Sequence, residues 1–337
     1  MSSLTSKATV GTIGLVCKAF LNSGYCSSVT VNGLDNLINA LHSSERSNGR
    51  GVITMANHIS TLDEPVVWGI LPWKYYFNTH LTRWTLGASD IMFTNPVFSE
   101  FFRQGQVLET FRGDGIYQPA VDTAIEKLNA GAWIHLFGEG KVNQPENFDE
   151  PSSLPLLRFK WGVYVSFAAL LLSGGIYSAH SGRIIMEAAK PPIIIPMWLT
   201  GFHTLMPEGR PFPWKFLPRY GAKLSVSFGP PVRTGELEEI LRSSVEASDE
   251  AGRPAASLGV DAKPLDIQDE VSGAETTRTR WMRDIVTGAL EDKPPREAGP
   301  QREEALRMAR VRSAVAAVVQ RYVEALGQGV SQNLRRD

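Results

Sequence analysis

Cysteine and histidine are scarce in this chain of 337 residues, with two of the first and six of the second. Cys17 and Cys26 cannot build a disulfide framework, and no Cys-x-x-Cys or Cys/His spacing of a zinc site occurs, so no metal is expected. Net charge is nearly absent as well: −1 at pH 7, with a pI of about 6.6. That removes the electrostatic footprint of a nucleic-acid binder. The sequence has no Gly-x-Ser-x-Gly elbow of a serine hydrolase, no His-Glu-x-x-His of a metalloprotease and no Gly-x4-Gly-Lys phosphate loop. The apolar stretch Thr9–Leu21 is followed by no small-residue cleavage site and is too short to cross a bilayer straight through. It reads either as a core helix or as a segment lying in one leaflet.

What remains is an apolar-rich body followed by a polar tail. Residues after 242 hold 14 Lys/Arg and 16 Asp/Glu in 95 positions, about twice the charge density of the residues before them. From 243 to 300, Ser, Glu, Asp, Gly and Pro dominate with little periodicity, the composition of a linker. A late helix is predicted over 301–326, with Leu306, Val311, Val315, Val318, Val319 and Tyr322 on one stripe and Gly327 as its stop. The body alternates strands and helices. Strands are predicted at 51–56, 75–79, 106–110, 132–137, 193–198 and 223–228, and helices at 64–70 (Asp63 as N-cap) and 118–129. This order argues an α/β fold whose sheet is covered on both faces.

The chemistry centres on Asn57-His58-Ile-Ser-Thr-Leu-Asp63-Glu-Pro65, directly after a strand. On a continuous helix, His58 and Asp63 would stand roughly 140° apart. With His58 on the strand-to-helix loop, the carboxylate can instead fold back onto the imidazole. A carboxylate on Nδ1–H fixes the tautomer and leaves Nε2 free to take a proton from a hydroxyl, a base with its orienter and no protein nucleophile. Alone, the spacing is a weak signal. Three further blocks follow in order. Phe111-Arg112-Gly113-Asp-Gly115 sets a cation among glycines, suited to a phosphodiester. Trp133-Ile-His-Leu-Phe-Gly138-Glu139-Gly140 puts a carboxylate on a glycine-flanked turn. Lys190-Pro-Pro-Ile-Ile-Ile-Pro196 is a strand entered and broken by prolines.

Taken together, these blocks resemble the glycerolipid acyltransferases, and more narrowly their phospholipid–lysophospholipid transacylase branch, mitochondrial proteins that remodel cardiolipin. The narrower likeness adds Trp68-Gly-Ile-Leu71, Arg83-Trp-x-Leu-Gly-Ala88, Gly105-Gln-Val-Leu108, Phe159-Lys-Trp-Gly162 and Thr200-Gly-Phe202, and spans about 28–242. It implies a glycerol-3-phosphate-acyltransferase-like mixed sheet flanked by helices, with membrane-interfacial segments and a polar C-terminal tail. It also implies that His58 activates the hydroxyl of a lysophospholipid and that Asp63 orients it. Arg112 and Gly113 would hold a phosphate, while Glu139 and Gly140 would shape the acceptor site. The partners implied are phospholipid and lysophospholipid (cardiolipin, monolysocardiolipin, phosphatidylcholine) and a membrane surface, with no nucleic acid and no cofactor. The location implied is a mitochondrial membrane facing the intermembrane space, held peripherally or monotopically. An acyl-CoA-dependent acyltransferase and a non-catalytic membrane protein of the same fold are the alternatives.

The sequence departs from the family pattern in two places. Gly138 stands where the family has Pro, which frees the turn carrying Glu139. Residues 164–181 interrupt a run that would otherwise read as one helix, FKWGVGRIIMEAAKPP. Codons for Val163-Tyr164-Val165 and His180-Ser181 can carry splice signals, so these 18 codons read as an in-frame retained intron. A membrane-inserted loop and a family-specific insertion are the other readings.

Overall fold

The computed structural model describes residues 4–112, 114–144, 156, 157, 159, 181–239 and 300–334. In chain order its principal elements are α1 (Leu4–Asn22), β1 (Ser28–Asn32), α2 (Leu34–Leu41), β2 (Val52–Ala56), β3 (Arg83–Ala88), α3 (Pro96–Gln104), β4 (Val107–Thr110), α4 (Pro119–Asn129), β5 (Trp133–Phe137), α5 (Ser181–Met186), β6 (Ile193–Thr200), β7 (Lys223–Phe228) and α6 (Pro300–Leu334). The seven strands form one sheet in the order β1-β7-β6-β2-β5-β3-β4. Neighbours run parallel except β6 and β7, which makes the sheet mixed.

Period-2 alternation divides the core in two. Val52 and Ala56 of β2 and Trp133 of β5 face a cluster with Cys17, Leu21, Leu37 and Trp68 under α1 and α2. Ile53 and Met55 of β2, with Ile134 and Leu136 of β5, face the opposite cluster under α4, α5 and α6. Glycines let α1 sit close. A Cβ on Gly69 would lie 2.7–2.8 Å from the Cys17 backbone, and one on Gly14 would lie 2.6 Å from the Tyr76 ring. Lys18 Nζ then donates to the carbonyls of Leu71 and Gly69, at 3.0 and 3.4 Å.

Several expected elements differ. The stretch expected as a strand at 75–79 is a 3-10 turn, Trp73–Phe77, in which Tyr75 and Tyr76 are both buried and Tyr76 Oη donates to the carbonyls of Trp68 and Leu71, each at 3.0 Å. The expected helix at 64–70 is a single turn, Asp63–Val66, with non-helical φ/ψ at Glu64, followed by a 3-10 turn, Val67–Ile70. Asp63 does not cap it; its carboxylate turns back to residues 58–60. α6 runs through Gly327 without stopping, because packing and not a cap governs that residue: a Cβ there would lie 2.7 Å from the Trp198 ring. Along α6, Val311, Val315, Val318 and Val319 are buried, while the Leu306 side chain lies outside the described part. The linker at 243–299 and the insertion, save Ser181 at the start of α5, also lie outside the described residues.

Candidate active site

The parallel strands β2, β5, β3 and β4 all end at one edge of the sheet, with Ala56 beside Phe137 and Ala88 beside Thr110 in register. Open α/β sheets bind ligands outside the carboxyl ends of their strands. Here the loops after these four strands enclose a cleft of about 550 Å³, lined by His58, Arg112, Phe137, Gly140 and Lys141 among others.

The His58 loop is set by its neighbours. Asn57 completes a two-bond bridge to Leu199 of β6, donating from Nδ2 to the carbonyl (3.0 Å) and accepting the amide N–H at Oδ1 (2.7 Å). His58 follows with its ring stacked on Phe137, centroids 4.0 Å apart and planes 16° apart. Asp63 Oδ2 lies 3.0 Å from His58 Nδ1 and accepts the N–H groups of Ile59 (2.7 Å) and Ser60 (2.8 Å). The carboxylate therefore receives Nδ1–H, and Nε2 keeps its lone pair. Asp63 is fully buried, and Oδ1 has no hydrogen-bond partner among the described residues. Burial pushes its carboxyl above the ordinary range, against the pull of His58 and the two amides.

Glu139 clamps this loop from the adjacent strand. Its Oε1 accepts the His58 N–H at 2.8 Å, and Oε2 accepts Leu157 N–H and Asn143 Nδ2–H, both at 3.0 Å. Asn143 returns to the loop, donating its N–H to the His58 carbonyl at 2.7 Å. Burial pushes the Glu139 carboxyl up to about 7 despite these donors. Gly138 does not leave the turn loose, because its Cα lies flat against Phe159, whose ring would meet a Cβ at 2.5 Å. Gly140 closes the turn at φ 66° with its N–H on the Phe137 carbonyl.

Arg112 sits at the rim, half exposed, with Nη1 3.0 Å from Asp90 Oδ2. Its loop is anchored by Gln118, which accepts Phe111 N–H and donates to the carbonyls of Phe111 and Gly115. The structure thus joins His58, Asp63 and Glu139 in one hydrogen-bonded unit. It places Gly140 next to that unit in the turn after Glu139 and Arg112 elsewhere on the rim of the same cleft, bonded to Asp90, and Gly113 lies outside the described residues.

Sequence reasoning missed four residues here. Lys141 lines the cleft and directly follows the Glu139–Gly140 turn, so its position was a readable signal. Glu64, which lines the cleft, and Arg83 form a largely buried bidentate pair, at 2.6 Å on each branch, and Trp68 Nε1 donates to Glu64 at 2.7 Å. Burial raises the Glu64 carboxyl, but Arg83 outweighs it and leaves the group below its usual range. The fourth is His135, fully buried. Its Nδ1 lies 2.8 Å from Thr54 Oγ1, which also accepts Trp133 Nε1–H at 2.9 Å. Its Nε2 has no partner among the described residues, and burial pushes the ring's pKa down to about 3, so it is neutral.

Comparison with known proteins agrees with this architecture. The profile of the Acyltransferase family matches residues 28–200. A taffazin of Dictyostelium discoideum is 33% identical over 224 residues, 66% of this chain and 68% of that protein. A tafazzin of Saccharomyces cerevisiae is 32% identical over 297 residues, 77% of this chain and 70% of that one. An N-acylphosphatidylethanolamine synthase of Arabidopsis thaliana is 36% identical over 183 residues, 54% of this chain and 55% of that one. A strand-edge cleft with a His–Asp unit, a family profile over half the chain and relatives of these lengths lead to one assignment: the chain belongs to the acyltransferase family and, within it, to the tafazzins.

Proposed function

We propose that this acyltransferase exchanges fatty acyl groups between phospholipids and lysophospholipids without CoA, and that it remodels cardiolipin at a mitochondrial membrane to which it is held peripherally. The supporting observation is the 3.0 Å contact from His58 Nδ1 to Asp63 Oδ2 at the mouth of the cleft. His58 Nε2 takes the proton of the lysophospholipid hydroxyl as its oxygen attacks the ester carbonyl of the donor lipid. The tetrahedral oxyanion collapses, the donor's ester C–O bond breaks, and the departing lysolipid oxygen recovers the proton from His58. One ester is lost and one gained, so no external energy source is needed. In this reading Arg112 and Lys141 hold a lipid phosphate, Glu139 and Gly140 shape the acceptor side, and 28–242 is the catalytic domain.

The test is purified protein with monolysocardiolipin and, as donor, either radiolabelled phosphatidylcholine without CoA or radiolabelled acyl-CoA. Label reaching cardiolipin without CoA supports the proposal, and transfer from acyl-CoA alone overturns it. The His58→Ala variant is expected to lose about 10² to 10⁴-fold in rate, the usual worth of a positioned base. Wild-type activity in that variant would overturn the assignment of His58.

A further inference from the structure

The loop between β6 and β7 exposes an unusual run of rings. Within Phe212–Tyr220, Phe212 is 77% exposed, Trp214 59%, Phe216 64% and Tyr220 77%, with Leu217 beside them. A cluster of this kind on a folded surface marks an interaction site. The loop is not slack. Arg219 N–H donates to the Leu205 carbonyl (2.7 Å), Tyr25 Oη to the Pro218 carbonyl (2.7 Å) and Arg210 Nη2 to the Leu217 carbonyl (2.6 Å). Rings on a fixed backbone can be buried by a partner with little further ordering cost.

Three observations select the partner. First, β6 runs parallel to β2, so the loop leaves the sheet at the same edge as His58. Gln144, three residues beyond Lys141, ties the two together by accepting Glu208 N–H (3.0 Å) and donating to the Met206 carbonyl (3.0 Å), and Glu208 itself lines the cleft. Second, cations are interleaved with the rings: Arg210, Lys215 and Arg219 against the single anion Glu208. Third, Trp and Tyr mixed with Phe and basic side chains are the composition that settles at headgroup depth in a bilayer. Tyr220 meets Tyr25 edge-on at 5.5 Å and Tyr25 meets Phe20 at 5.3 Å, which extends the surface onto the end of α1.

From these we infer that the 207–221 loop is a membrane-docking wedge: its rings enter the headgroup layer of an anionic phospholipid bilayer and bring the cleft mouth onto the lipid surface. The inference deepens the lipid-substrate reading above, but its test needs no turnover. The full chain is sedimented with vesicles of phosphatidylcholine alone and with about a third anionic phospholipid. Binding is expected to favour the anionic vesicles, and combined Phe212→Ser, Trp214→Ser and Phe216→Ser substitutions should weaken it about tenfold or more. An environment-sensitive fluorophore on Trp214→Cys should shift to the blue on binding; Cys17 and Cys26 are buried and do not compete for the label. The His58→Ala variant should bind as wild type does, so failure of the wedge and failure of the catalytic reading give different results. Three outcomes would overturn the wedge: undiminished binding by the triple variant, a fluorophore that stays in water while the chain is vesicle-bound, or lipid-free dimers that the triple variant abolishes.

Discussion

Replacing Glu139 with glutamine separates two properties of the clamp on the His58 loop, its charge and its acceptors. The wild-type carboxyl is raised by burial from 4.5 to about 7. Between those values the folded protein holds a proton that the unfolded chain releases, so stability present below the unfolded value is lost as pH rises through the folded one. The slope is about 1.4 kcal/mol per pH unit, which amounts to about 2 kcal/mol between about pH 5.5 and 8. Glutamine abolishes that slope. It also costs something at every pH, because Oε1 and Oε2 both accept backbone N–H groups, from His58 and Leu157, and an amide accepts at one end only. The orphaned donor should cost about 1–3 kcal/mol. Urea unfolding of both proteins across this pH range should therefore show the variant less stable at the acid end, with the gap closing by about 2 kcal/mol towards pH 8. Parallel pH profiles would refute the argument, since they would mean that Glu139 holds no extra proton in the folded state.

Other outcomes follow from the same packing. Arg83→Met leaves the Glu64 carboxylate buried with Trp68 Nε1 as its remaining donor among the contacts described and should cost about 3–5 kcal/mol in denaturant unfolding, most of it recovered when Glu64→Leu is added. Gly69→Ala drives a methyl into the Cys17 backbone; α1 should lift, stability should fall by about 1–3 kcal/mol, and Cys17 should react faster with a thiol reagent.

How much of this was readable beforehand depended on how local each signal was. β2, β5 and β6 are largely apolar runs buried in the sheet and β7 (KLSVSF) alternates apolar with polar residues, and both patterns show in the composition. β1 (SVTVN) is an edge strand with three of its five residues exposed and none buried, and β3 opens with Arg83, so neither stands out from a loop. The aromatic run at 75–79 mimics a strand because ring content alone cannot report that Tyr76 Oη reaches back to the carbonyls of Trp68 and Leu71. At the site, His58 and Asp63 are five residues apart and chemically complementary, so spacing found them. Arg83 meets Glu64 across 19 residues and His135 meets Thr54 across 81, pairings that only the strand order creates. Gly327 was misread for the same reason: its function is to admit Trp198, which lies in another element.

The position of α6 carries a consequence for biosynthesis. Sixty residues, 240–299, separate it from the rest of the body, yet its valines cover Ile194 and Trp198 on the second face of the sheet. At ribosomal speeds of 5–20 residues per second, those codons take roughly 3–12 s to read. Through that interval the nascent chain has all seven strands and the helices α4 and α5 on the second face, but the part of that face around Ile194 and Trp198 still lacks the α6 valines. The order of synthesis thus makes the closing of this second core the last step of folding.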